Sequence, residues 1–168
     1  MSVTLYQVSV PVFKRMLGNL SAFLTKAEAH ATARKIDPSV LLQSRLFPDM
    51  FPLTKQVQIA CDFAKGAAAR LAGIDVPKYD DTEVTFEDLR ARIAKTLAFV
   101  ESCRAAQFEG SESRPISLTM GGKTYGFTGL DYLNNMVFPN FYFHVTTAYD
   151  ILRHNGVELG KADFVGQI

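Results

Sequence analysis

The side chain best placed to do chemistry lies in the string Phe141-Tyr142-Phe143-His144, near the end of the chain. His144 falls beside the apolar positions Phe141, Val145 and Ala148 of a helical pattern, so its imidazole must bond something. A buried polar group without a partner costs on the order of 1 to 3 kcal/mol. Three roles are open: a core histidine bonded to Tyr, Asp or backbone, a wall of a ligand pocket, or a metal ligand. A helix that binds zinc or nickel commonly supplies histidines at i and i+4, and here that second position is Ala148. His154 stands near the end of the same helix, where a cation is favoured by the helix dipole, and reads as a capping residue. His30, in Glu28-Ala29-His30, is the remaining imidazole.

Gln56, Gln58 and Asp62 place polar groups on an earlier helical segment. Gln58 and Asp62 share a face at i, i+4 spacing and either meet His144 across the protein or face solvent. Cys61 and Cys103 form no CxxC pair and read as inert buried thiols of a reducing compartment. Gly121-Gly122-Lys123-Thr124 resembles the close of a phosphate loop, but Ser117 stands where the first glycine belongs and Tyr125-Gly126-Phe127 continues a strand pattern where a helix should begin. No Ser/His/Asp order or GxSxG elbow argues for covalent catalysis.

The elements that must position these groups are legible from apolar spacing. A first helix runs from Val10 to about Ile36 on Phe13, Leu17, Leu20, Leu24, Ala27 and Ala31, with Pro11 in its first turn or at a kink and Asp37-Pro38 ending it. Residues 39–46 have room for one or two turns before the breaker Phe47-Pro-Asp-Met-Phe-Pro52. The second helix spans Pro52 to Ala72 and stops at Gly73. After a polar link, Thr85 with Asp88 caps a third helix whose stripe, Phe86, Leu89, Ile93, Leu97 and Val100, ends before Gly110. The alternation of residues 116–120, the Gly121-Gly122 turn and residues 123–127 predict a small β-hairpin with one face on the helices. The final helix begins near residues 129–131, is split by Pro139 and ends at Asn155-Gly156, with Val157 to Ile168 as an extended tail. Four amphipathic helices predict an all-α, antiparallel four-helix bundle with the hairpin inserted between helices three and four, in one domain over residues 1–168.

Bulk properties narrow the function classes. The 168 residues carry a formal net charge of +1, with no basic cluster interleaved with aromatics, so nucleic acid is not an expected partner. No run approaches the roughly 18 apolar residues that cross a bilayer. Lys14 and Arg15 interrupt the N-terminus too early for a signal peptide, and a cytoplasmic, membrane-free protein is expected.

Two strings, Asp49-Met-Phe-Pro-Leu-Thr-Lys-Gln-Val-Gln58 and Pro139-Asn-Phe-Tyr-Phe-His-Val-Thr-Thr-Ala-Tyr-Asp-Ile-Leu-Arg-His-Asn-Gly156, resemble an uncharacterised, domain-of-unknown-function branch of the DinB/YfiT-like metalloenzyme superfamily. The resemblance implies a four-helix bundle, a homodimer, and a divalent metal held by one histidine of helix two and an i, i+4 pair on the last helix. Some such proteins are thiol-dependent transferases or hydrolases. His144 matches the first histidine of the pair, Ala148 replaces the second, and helix two has none, so the metal site is degenerate. The expectation is a small-molecule-binding or unassigned module without a cofactor, its pocket formed by His144, Tyr142, Tyr149, Asp62 and Gln58. One alternative is a zinc- or nickel-dependent hydrolase or thiol transferase that recruits His144 with Asp62, Gln58 or His30. A second is a structural homodimer or partner-binding protein.

Overall fold

The computed structural model describes residues 3–167. Helix α1 spans Leu5–Arg34. It starts earlier than the apolar stripe predicts because Thr4 and Gln7 form a reciprocal capping box, with Thr4 Oγ1 accepting from the Gln7 amide and Gln7 Oε1 from that of Thr4. Pro11 is therefore an interior residue of α1, not part of its first turn. After Lys35 in the left-handed region, Asp37 caps the short helix α2, Pro38–Leu42.

Helix α3, Leu53–Ala72, stops at a left-handed Gly73, as expected. Thr85 and Asp88 form the capping box of α4, Phe86–Ser102. That helix ends before Gly110, as expected, and a 3-10 turn at Ala105–Phe108 follows it. Strands β1 (Pro115–Met120) and β2 (Lys123–Thr128) pair antiparallel, Ile116 opposite Phe127 and Met120 opposite Lys123. Both turn residues, Gly121 and Gly122, have positive φ (55° and 78°), the requirement of a two-residue hairpin that follows the natural strand twist. Ile116 is buried, with Leu118 and Phe127 half-buried, so one face of the hairpin meets the helices.

Helix α5 is the single turn Gly129–Asp131, followed by a π-helical segment, Tyr132–Val137, and helix α6, Phe138–His154. The widened segment lies just before Pro139, whose ring in a regular helix would collide with the carbonyl of Asn135. The tail departs from the extended chain expected of it: Lys161–Val165 forms helix α7, with Asp163 bonded back to the Gly160 amide. Ile168, the last residue of that tail, lies outside the described residues.

The fold is mostly helical with one small two-stranded antiparallel sheet. Helix α1 packs against α4 and α6, both of which also pack against α3. Apolar residues from Leu5 to Leu159 join one buried cluster, in which the fully buried Phe13 and Phe141 meet edge to face at 5.1 Å. Among the described residues no helix is long and apolar enough to cross a membrane.

Candidate functional site

His144 lies one residue from the deepest face of α6 and leans toward the start of α3. Gln56, in the first turn and a half of α3, is buried and held in place: its Nε2 donates to the Phe51 carbonyl at 3.0 Å. Its Oε1 is thereby left as an acceptor, 2.7 Å from His144 Nδ1. That geometry selects the tautomer with the proton on Nδ1, which donates to Gln56 and leaves a lone pair on Nε2. Phe63 stacks on the imidazole at 6.1 Å, and Phe143 meets it edge-on at 5.2 Å. His144 is 8% exposed, and burial pushes its pKa down to about 4, so the ring is uncharged at neutral pH.

Beside it opens a cleft of about 420 Å³ lined by Asp49, Met50, Phe51, Gln56, Asn140, Phe143 and His144. Among the described residues Nε2 has no hydrogen-bond partner, and it is not one of the sealed, unpartnered atoms, so it meets solvent at the cleft. The arrangement presents one neutral acceptor in a mainly aromatic wall. At pH 7 such a group accepts an O–H or N–H; its low basicity suits it poorly to carrying a proton away. Replacing Gln56 with Ala should cost about 1 to 3 kcal/mol in urea unfolding, because the Nδ1–H loses its acceptor. Gln56→Glu should restore the partner and raise the His144 pKa, which a histidine NMR titration reads directly.

Of the pocket residues expected from the sequence, only His144 lines this cleft. Gln58 Nε2 donates to Glu83 Oε2 at 2.8 Å, while Asp62 binds Lys65 at 2.9 Å and Arg92 at 3.0 Å. Two residues along a helix turn its face by about 200°. Gln56 thus looks toward α6, while Gln58 and Asp62 look toward α4 and the link before it. Tyr149 packs on Phe23 and Phe164, on a different part of α6, and Tyr142 is an exposed ring against Phe138 and Phe141. His30 lines a separate depression with Lys26 and Glu158, and His154 is exposed at the end of α6. The residues that build the site instead are Gln56 and the turn Asp49-Met50-Phe51. The proline-bracketed aromatic turn Phe47 to Pro52 was the available signal for this end of α3, and none marked Gln56 itself.

The donor set does not fit the three-histidine metal site of the resembled superfamily. Ala148 is fully buried where the second imidazole would stand, and α3 carries no histidine. Among the described residues no group of three or more His, Cys, Asp or Glu side chains is assembled to hold a metal. The cleft offers one imidazole nitrogen and the carboxylate of Asp49. Burial pushes the Cys61 thiol up to about 12 and raises that of Cys103, so neither is a thiolate at neutral pH. The Gly121-Gly122-Lys123-Thr124 string is the hairpin turn and the start of β2, with no helix after it to face a phosphate.

A family model described as a domain of unknown function (DUF1993) matches residues 5–165. A crystal structure of a protein described as a DinB family member, from Shewanella denitrificans, is 47% identical in sequence, with a TM-score of 0.89. That similarity covers 98% of this chain and 93% of the other. No curated protein matches the sequence.

Proposed function

This chain belongs to the DUF1993 family, a domain-of-unknown-function branch of the DinB-like superfamily, and from that premise we propose that it is a small-molecule-binding module whose ligand sits in the cleft at His144. In this reading α1, α3, α4 and α6 form the antiparallel four-helix bundle of the superfamily, with the hairpin as an insertion, and the degenerate metal position has become a binding pocket. The observation that carries it is the neutral His144, oriented by Gln56, whose Nε2 lone pair meets the cleft without a protein partner. The ligand suited to that wall donates an O–H or N–H to Nε2 and lays an apolar or flat body on Phe51, Phe143 and Met50. Asp49 suits a second donor or an amine. The exposed Phe47, Phe51 and Phe143 lie in the same region and support the homodimer as part of the proposal.

Thermal unfolding across a panel of small hydroxylated and amine-bearing metabolites tests the reading. Ligand at about 100 times its Kd should add about 2.7 kcal/mol to stability. The rise in Tm should vanish in His144→Phe, which fills the same place without an acceptor. No rise across the panel, or an undiminished one in His144→Phe, sinks the binding reading. A stoichiometric zinc or nickel in protein purified without chelator, lost in His144→Ala, would replace it with the metalloenzyme alternative. Light scattering should give twice the 18.6 kDa chain mass if the homodimer is correct.

A further inference from the structure

Outside the His144 cleft, Arg70 has an arrangement unusual for an arginine at the end of a helix, satisfying the buried Tyr132 hydroxyl with one nitrogen. It stands in the last turn of α3, where an arginine ordinarily serves the terminal carbonyls. That place is taken by Arg114, whose guanidinium donates to the Leu71 and Gln107 carbonyls. Arg70 instead folds back along its own helix over Gly66. A Cβ on Gly66 would come within 2.6 Å of Arg70 Nη1. Glycine is among the poorest helix formers, and here its bare surface is what admits the guanidinium. Arg70 Nη1 then donates to the hydroxyl of Tyr132 at 3.1 Å, a buried phenol on the π-helical segment.

Among the described residues Arg70 forms no ion pair. The acid beside it, Asp62, is held by Lys65 and Arg92. Arg70, half-buried and with most of its five N–H groups unused, borders a cleft of about 230 Å³ whose polar edge also carries Asp62 and Thr119 and whose apolar walls include Phe63, Met120, Tyr132 and Met136. π-helical turns are frequent at functional sites, and this one supplies two of those walls. An unpaired fork of donors at the polar edge of a cleft whose other walls are apolar matches a carboxylate carrying a hydrophobic body. One uncommitted positive charge, next to a carboxylate already neutralised, suits a monoanion.

We propose that Arg70, seated on Gly66 and steadied by Tyr132, anchors a second binding site for small organic monocarboxylates, with the apolar part of the ligand between Phe63, the hairpin and the π-helical segment. The two clefts adjoin, since Phe63 also stacks on His144 and Asn140 of the His144 cleft donates to Met136, so Met120 is the methionine that reports this site apart from the other. Met120 and Met136 line the Arg70 cleft, Met50 lines the His144 cleft, and Met16 is buried in α1.

In full-length protein with methyl-labelled methionine, titration with octanoate should move the Met120 and Met136 signals saturably. 1-Octanol, which has the same body without the charge, should bind about tenfold more weakly or worse. Arg70→Gln should weaken octanoate by about tenfold and leave octanol unchanged. Gly66→Ala, which keeps the charge and displaces the fork, should act in the same direction. An unmoved Met16 signal reports that each variant is folded, and if Arg70→Gln does not fold, Gly66→Ala decides. The proposal is overturned by no saturable shift, by equal binding of octanol, by shifts at Met50 alone, or by unaltered octanoate affinity in a folded variant. His144→Phe keeps an aromatic ring against Phe63 and should change the octanoate affinity read at Met120 far less than Arg70→Gln does, so failure at one cleft does not imply failure at the other.

Discussion

Acidification from pH 6.5 to pH 4 should remove about 3 kcal/mol of stability through His144 alone. Burial lowers the pKa of this imidazole from 6.5 to about 4 in the folded chain. Between those values the unfolded chain takes up a proton at His144 and the folded chain does not. The contribution is fully present above pH 6.5, falls as the pH falls, and is gone below about pH 4. Protonation would occur on Nε2, since Nδ1 already carries the hydrogen donated to Gln56. Urea unfolding of wild type and of His144→Gln, whose amide can still donate to Gln56, measures the effect as a difference in slope against pH over that window. Equal slopes would mean that His144 is solvated enough to titrate normally, and the neutral acceptor at the heart of the binding proposal would go with it.

Replacing Arg92 with Met should cost about 3 kcal/mol, the lower end of what breaking a buried ion pair removes. The Arg92 side chain is 1% exposed and makes four contacts through its two terminal nitrogens: the Asp80 carbonyl at 3.1 Å, Glu83 at 2.9 Å, and Asp62 and Asp81 at 3.0 Å each. Three of these partners lie on the link between α3 and α4, which has no regular structure over residues 74–84 and is tied down from α4 by this side chain. Asp62 and Asp81 are more than a third exposed, so solvent screens much of the charge they would be left with. Glu83, 11% exposed, bears most of the penalty. Arg92→Lys should recover only part of the loss, because one ammonium cannot span contacts arranged for a planar fork. A second readout comes from Asp81, held below the usual carboxylate range first by its bond from Lys55 and further by Arg92. That stabilisation is present above the ordinary pKa of Asp and lost as the pH falls through the lowered value, and the Met variant should lose it at a higher pH. A stability change under about 1 kcal/mol would show that water replaces the guanidinium at little cost.

Much of the backbone plan was legible because its determinants are local. The Thr85 and Asp88 cap, the Gly73 stop and the Gly121-Gly122 turn each rest on bonds or dihedral angles spanning a few residues, and each is where the spacing predicted it. The misses are also local in kind. The start of α1 was obscured because the capping box of Thr4 and Gln7 precedes the apolar stripe. Helix α7 was obscured because five residues are too few to display a helical period.

The sequence by itself determined that four long amphipathic segments must bury their stripes together, and that His144, beside one of those stripes, must find a partner. Only the tertiary structure decided which partner. Gln56 and His144 are 88 positions apart, and nothing local distinguishes Gln56 from Gln58 as the acceptor. The rotation of α3 about its axis does: it turns Gln56 toward α6 and sends Gln58 and Asp62 to the Arg92 network. That rotation is set by the summed packing of the whole buried cluster, a long-range quantity that residue spacing does not carry. The seat of Arg70 on Gly66 is the counter-case. Both residues lie on one helix at i, i+4, yet the vacancy acquires meaning only once Arg114 has taken the helix end and the π-helical segment has brought Tyr132 alongside.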